Sequence, residues 1–376
     1  MSESNRPLDL GGTFDLGEMR DVERAHIDKT PGRDSADPAA LSRLIATFVD
    51  SHLNNGNADT MAACVFVHSP DLVADKALSG AEKDHHHLLR KSPYSPFGRL
   101  HFVAAGGHRA VSLERDCEDP EKLHDWLDEK GLLDRPIIWA RPQDKALTYY
   151  PLGFADEDSA IDAALLAPQH VTKASVEEAL AIFHDTVTLL PRPMPRLWHA
   201  PALHVPCEYT EKRIQEALEI ALWMRFHKGR VEREREFPGS KIDFVIWDRP
   251  NGKLEPGCAL ELKVLREKHF GEPAHIAKKC YPATNTKAVN KGIKQAAFAR
   301  NELGAPIAIM AAFDMRQLDC DKIMKTTKAF ANAQNVECHR FHMMTSNNDY
   351  REKTMPTPSA VVSPQLPKTA KLPKKK

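Results

Sequence analysis

The run PIAIMAAF at 306–313 carries no charged or hydrogen-bonding side chain, and an apolar stretch of that length reads as a β-strand covered on both faces. Its neighbours extend the constraint. NTKAVNKGIKQAAFARNEL (285–303) has the apolar spacing of an amphipathic helix, while DKIMKTTKAFANAQ (321–334) and VECHRFHM (336–343) read as a helix and a strand. Further upstream, TEKRIQEALEIALWMRFH (210–227) predicts a helix with Thr210 as its N-cap, and VEREREF (231–237) a strand edged with charge. KIDFVIW (241–247) and CALELKVL (258–265) are β-rich runs parted by the turn-forming DRPNGKLEPG, a hairpin signature. The order is helix, strand, strand, strand, helix, strand, an αβββαβ succession.

A chain of 376 residues exceeds the roughly 100–200 of one domain, so two folded units are expected. Residues 1–37 show no apolar period and read as a disordered arm. An N-terminal α/β or α+β domain is expected over 38–190, with a helix at ALSRLIATFVDSHL, a buried strand at MAACVFVH, and a strand pair RLHFVAA and RAVSLER turning at Gly106-Gly107. Helices at about 120–130 and 175–188 flank the strands RPIIWAR and ALTYYPL. Five prolines between 191 and 206 predict a linker at 191–207. The C-terminal domain then occupies 208–350, and 351–376 reads as a disordered basic tail.

Several features exclude functions rather than suggest them. No apolar run approaches the roughly 18–20 residues of a bilayer span, and the N-terminus lacks a basic start and apolar core, so a cytoplasmic protein is expected. Seven scattered cysteines lack zinc or disulfide spacing and read as small buried hydrophobes. His85-His86-His87 reads as a solvated helix surface, since adjacent helical residues point in different directions and at most one or two could bind one ion. With 52 basic and 52 acidic residues the net charge is zero, so any polyanion surface must be local.

Chemistry concentrates on the predicted hairpin. If it folds about Asn251-Gly252, Asp243 and Glu261 lie opposite each other on adjacent strands. Glu261 and Lys263, two residues apart, point to one face while Leu260 and Leu262 point to the other. Two carboxylates and an amine thus converge among Phe244, Val245, Ile246 and Val264, where unpaired charge is costly. A hard divalent cation would offset that cost, and Mg²⁺, with Mn²⁺ as a substitute, suits two carboxylates and a phosphate substrate. Lys263 could then orient or help deprotonate an attacking water and neutralise charge on the phosphate.

Asp243 followed by Glu261-Leu262-Lys263 within ALELKV resembles the PD-(D/E)xK signature of the restriction-endonuclease-like nucleases, with Ile242 in place of the proline. The resemblance spans roughly 208–343 and implies a restriction-endonuclease-like αβββαβ core with a mixed central sheet and a metal-dependent phosphodiesterase acting on nucleic acid, DNA favoured, of the kind used in bacterial restriction or anti-phage defence. It also implies a glutamate from the preceding helix and a glutamine from the following one. With Leu218 at the centre of the first helix's inward face, Glu211 falls about 20° away and Glu216 and Glu219 about 160° and 100° away, which selects Glu211. Gln295, beside Lys291 and Phe298, is the matching glutamine. The basic residues from 263 to 294 outnumber the acidic, and Lys278, Lys279, Lys287, Lys291 and Lys294 are the expected nucleic-acid contacts. The competing reading is a catalytically inactive nucleic-acid-binding module, or a subunit of a larger nuclease complex. Double-strand cutting from a single site would favour a homo-oligomer.

Overall fold

The computed structural model describes residues 37–53, 60–72, 75–79, 84–88, 95–104, 109–164, 170–192, 195–269, 278–317 and 321–354. The arm expected at 1–37, apart from Asp37, the Gly106-Gly107 turn and the tail beyond 354 lie outside them. The protein is of the α/β class with mixed sheets. Two compact units interleave along the chain: Met1–Ala179 with Ala217–Val231 and Ile246–Glu255, and Leu180–Glu216 with Glu232–Val245 and Pro256–Lys376. Among the described residues no helix is long and apolar enough to cross a membrane.

The first unit opens with α1 (Pro38–Leu53), whose start is capped by Asp37 accepting the Ala39 N–H at 3.1 Å. A seven-stranded sheet follows, built from β1 (Cys64–Ser69), β2 (Asp84–His87), β3 (Arg99–Ala104), β4 (Arg109–Glu114), β5 (Ile137–Arg141), β6 (Ala146–Tyr150) and β7 (Ile161–Ala164). Its order is β2-β4-β3-β1-β5-β6-β7, with β1 parallel to β3 and antiparallel to β5. The central strand β1 is buried throughout, as its CVFVHS sequence requires of a strand covered on both faces. Helix α2 (Pro120–Glu129) starts with proline and is capped by Asp119, and it sends Leu123 and Leu127 into the core with Val65, Leu100, Phe102 and Ile137. Helix α3 (Lys173–Phe183) continues as one π-helical turn, His184–Thr188.

His85-His86-His87 does not form a helix surface. The segment is strand β2, paired antiparallel with β4 so that His85 faces Val111 across the ladder, and the Arg99 guanidinium anchors Asp84 at 2.7 Å. Pairing with β4 satisfies backbone groups that no local pattern in AEKDHHHLLRK advertises.

In the proline-rich stretch two short strands, β8 (Trp198–Ala200) and β9 (Val205–Pro206), pair antiparallel with Trp198 and Val205 buried. Then come α4 (Thr210–Arg225), β10 (Arg230–Phe237), β11 (Ser240–Asp248) and β12 (Glu255–Leu265). The turn between β11 and β12 places Asn251 and Gly252 at φ of 57° and 81°, the left-handed values that Asn-Gly adopts readily. A small pair, β13 (Lys268–His269) and β14 (Lys278–Lys279), precedes α5 (Pro282–Leu303), β15 (Ile307–Asp314), α6 (Lys322–Ala333), β16 (Glu337–His342) and α7 (Asn347–Thr354). Residues 351–354, expected in the tail, complete α7.

The five-stranded sheet runs β10-β11-β12-β15-β16, with β12, β15 and β16 parallel. Strand β15 is buried from Ala308 to Asp314, the outcome that PIAIMAAF demands. Thr210 does not act as an N-cap. Its buried hydroxyl donates to the Cys207 carbonyl at 2.7 Å, tying the helix start to the segment before it.

Candidate active site

Register on β12 decides what the site contains. Glu261 pairs with Met310 and Lys263 with Ala312 on β15, so both side chains rise from the middle of the sheet. Strand β11 supplies Asp243. Asp243 is 8% exposed and Glu261 1%. The two acids are tied to each other's strands, the Asp243 N–H donating to Glu261 Oε2 at 3.3 Å and the Leu262 N–H to Asp243 Oδ2 at 2.7 Å. Lys263 Nζ donates to Glu261 Oε1 at 2.6 Å and to the Leu262 carbonyl at 2.7 Å. Asp243, Glu261 and Lys263 therefore meet.

Helix α4 brings two more groups. Glu211, in its first turn, accepts the Val264 N–H at 3.3 Å through Oε2 and lies 3.6 Å from Lys263 Nζ through Oε1. Gln215, buried one turn later, donates to Asp243 Oδ1 at 2.7 Å. Gln215 was not anticipated, although a signal existed: 215 is 211 plus four, so both side chains occupy one helical stripe.

Helix α5 closes the site through Gly292. A Cβ at this position would lie 3.1 Å from Lys263 Cγ and Met310 Cγ and 3.4 Å from Glu261 Cγ, so a glycine lets the helix approach the strand stems. Gln295, on the next turn, does not touch the acids or Lys263. Its amide donates to the Lys241 carbonyl at 2.8 Å, and its Oε1 is a buried acceptor with no partner. Lys287, Lys291 and Lys294 share an exposed stripe of α5, where the Lys294 ammonium sits 5.9 Å from the Phe330 ring centroid. The backbones of Lys278 and Lys279 form β14, and their side chains lie outside the described residues.

Comparison of the chain with protein-family models, curated proteins and solved structures finds no match. The functional reading therefore rests on the site itself.

Electrostatics separates the members of the cluster. Burial pushes the Asp243 carboxyl up to about 6, against the pull of Lys263 and the Leu262 N–H. Burial, reinforced by the Asp243 charge, pushes Glu261 up to about 8 despite Lys263 at 2.6 Å. Burial also opposes the charge on Lys263, but Glu261, Glu211 and Asp243 outweigh it and hold the ammonium above the ordinary lysine range. Lys263 is thus a fixed cation, and the two acids are short of positive charge. Among the described residues no three His, Cys, Asp or Glu side chains converge as a ready cage; Glu211 joins the acid pair through the Lys263 ammonium.

Proposed function

We propose that the protein is a metal-dependent nuclease hydrolysing phosphodiester bonds in DNA, with a restriction-endonuclease-like core formed by α4, β10–β12, α5 and β15. The observation that carries this reading is the meeting of Asp243, Glu261 and Lys263 at the middle of a buried sheet, with Glu211 beside the ammonium. Asp243 and Glu261 would hold Mg²⁺ or Mn²⁺. Their chemistry fits: hard oxygen donors, driven above the ordinary carboxylate range by burial, with lone pairs remaining on oxygens that each accept one protein hydrogen bond. A bound cation of this kind supplies Lewis-acid stabilisation of phosphoryl charge and eases deprotonation of water.

The chain's own groups divide the remaining work. Lys263, held by Glu261 and Glu211, is placed to orient a water or neutralise charge growing on the phosphate. Glu211 and Glu261 hold that ammonium in place. Gln215 fixes Asp243 Oδ1, and the partnerless Gln295 Oε1 offers an acceptor on the helix that covers the site. The exposed stripe of Lys287 and Lys291 supplies cations for a phosphate backbone.

The test is cleavage of plasmid and linear DNA with and without Mg²⁺ or Mn²⁺, for the native protein and for Asp243→Ala and Lys263→Ala. Cation-dependent cleavage lost in both variants is the expected result. Undiminished cleavage in both refutes the assignment.

A further inference from the structure

Leu203, Tyr209 and Tyr281 are 60%, 68% and 67% exposed, a degree of exposure well beyond that of the other large apolar side chains described. All three belong to segments bound to the chain just after Lys263. Glu211, two residues past Tyr209, accepts the Val264 N–H at 3.3 Å. Buried Asn285 clamps both backbone groups of Arg266 at 3.1 and 2.9 Å, and the N–H of Cys280, next to Tyr281, donates to the Glu267 carbonyl at 2.6 Å. The Lys268 ammonium donates to the Leu203 carbonyl at 2.8 Å. Successive residues 264–268 therefore hold the segments that carry these side chains to the exit of the strand that bears Glu261 and Lys263.

Isolated exposed hydrophobics are ordinary on a protein surface, but several at one strand exit, beside a candidate site, mark an interaction surface. Tyr209 is also held at a φ of 57°, uncommon for a bulky residue, so its ring is presented at a backbone cost. Arg266 and Lys268 lie in the stretch that binds these segments, so cationic and aromatic residues occur together at this strand exit. That chemistry suits bases and phosphates together. A paired duplex hides the faces of its bases, whereas an unpaired strand offers them for stacking.

We infer that Tyr209 and Tyr281 are stacking platforms for unpaired bases beside the scissile bond, so that the substrate is single-stranded nucleic acid or the single-stranded end of a duplex. This rests on the nuclease reading of the neighbouring acids.

Binding is measured by fluorescence anisotropy in EDTA, where no turnover occurs, using a labelled oligo(dT) of about 20 nucleotides and a duplex of equal length. The oligonucleotide binds at least about tenfold more tightly than the duplex, and Tyr209→Ala and Tyr281→Ala each weaken it by about 5- to 100-fold. Duplex binding is unmoved. Tyr209→Phe and Tyr281→Phe, which keep the ring, retain the affinity. Unchanged oligonucleotide affinity in both alanine variants, equal loss in the phenylalanine variants, or equal binding of the duplex overturns the inference. So does a concentration-dependent dimer that the alanine variants dissolve, since a second copy would then cover the surface. Tyrosine-dependent binding combined with no cation-dependent cleavage by the native protein would remove the nuclease reading and leave the stacking surface standing.

Discussion

Replacing Lys263 with methionine isolates what the ammonium does for the buried acids. Methionine keeps an unbranched stem against Gly292 but removes the cation 2.6 Å from Glu261 Oε1. An ionised carboxylate that is 1% exposed and has lost its counter-charge costs about 3–5 kcal/mol, unless it takes up a proton. The Glu261 carboxyl already sits at about 8 against an ordinary 4.5, so its raised folded value favours the protonated acid. A carboxyl of this kind contributes stability that is complete below pH 4.5 and is lost as pH rises through 8. Without Lys263 the folded value rises further, so that loss continues to higher pH. The variant should therefore lie about 2 kcal/mol below the native protein at pH 7, where Glu261 is mostly neutral, and about 3–5 kcal/mol below it at pH 9. In the double variant Lys263→Met with Glu261→Gln no charge is stranded at position 261, and the deficit should be smaller than in the single variant at pH 9 and should grow less between pH 7 and 9. Urea unfolding in EDTA at the two pH values reads all of this, with the double-mutant cycle giving a coupling of about 2 kcal/mol. A deficit that does not grow between pH 7 and 9, or a double variant as unstable as the sum of its parts, would show that the buried ion pair is not the governing interaction.

Millimolar Mg²⁺ or Mn²⁺ should raise the melting temperature of the native protein by several degrees, as a ligand at about 100 times its Kd adds about 2.7 kcal/mol, and should leave Asp243→Asn unmoved in a thermal-shift assay. In Gly292→Ala the new methyl forces Lys263 and Met310 to give by a few tenths of an ångström; stability should fall by about 1 kcal/mol while DNA cleavage falls at least about tenfold, measured by chemical unfolding and initial rates. In the first unit, burial works against the Asp50 charge, but His227 and Lys228 overcome it and lower the carboxyl to about 2. That stabilisation is complete above pH 3.8 and lost as pH falls through 2, so Asp50→Asn should cost about 2 kcal/mol at pH 7, with the gap closing under acid in urea titrations.

Periodicity alone located most of the elements that build the second sheet, because α5 and β15 bury faces that recur at 3.6 and 2 residues or run apolar throughout. It also located much of the candidate site. Glu261 and Lys263 share a face by strand alternation, Asp243 follows from the Asn-Gly turn, and Glu211 follows from helical angles, all of which are relations between residues near in sequence or mirrored about one turn. Other features depended on which elements pack together. Gln215 shares a helical stripe with Glu211, but its bond to Asp243, 28 positions away, follows from the packing of α4, and Gln295 donates to the Lys241 carbonyl of β11. The histidine segment became a strand because β4 offered it a ladder, and the Thr210 hydroxyl also reaches the Leu197 carbonyl, 13 positions away, at 3.2 Å. Local pattern specifies which face of an element is buried. Partner choice between distant polar groups is made by the packing that removes their alternatives in water.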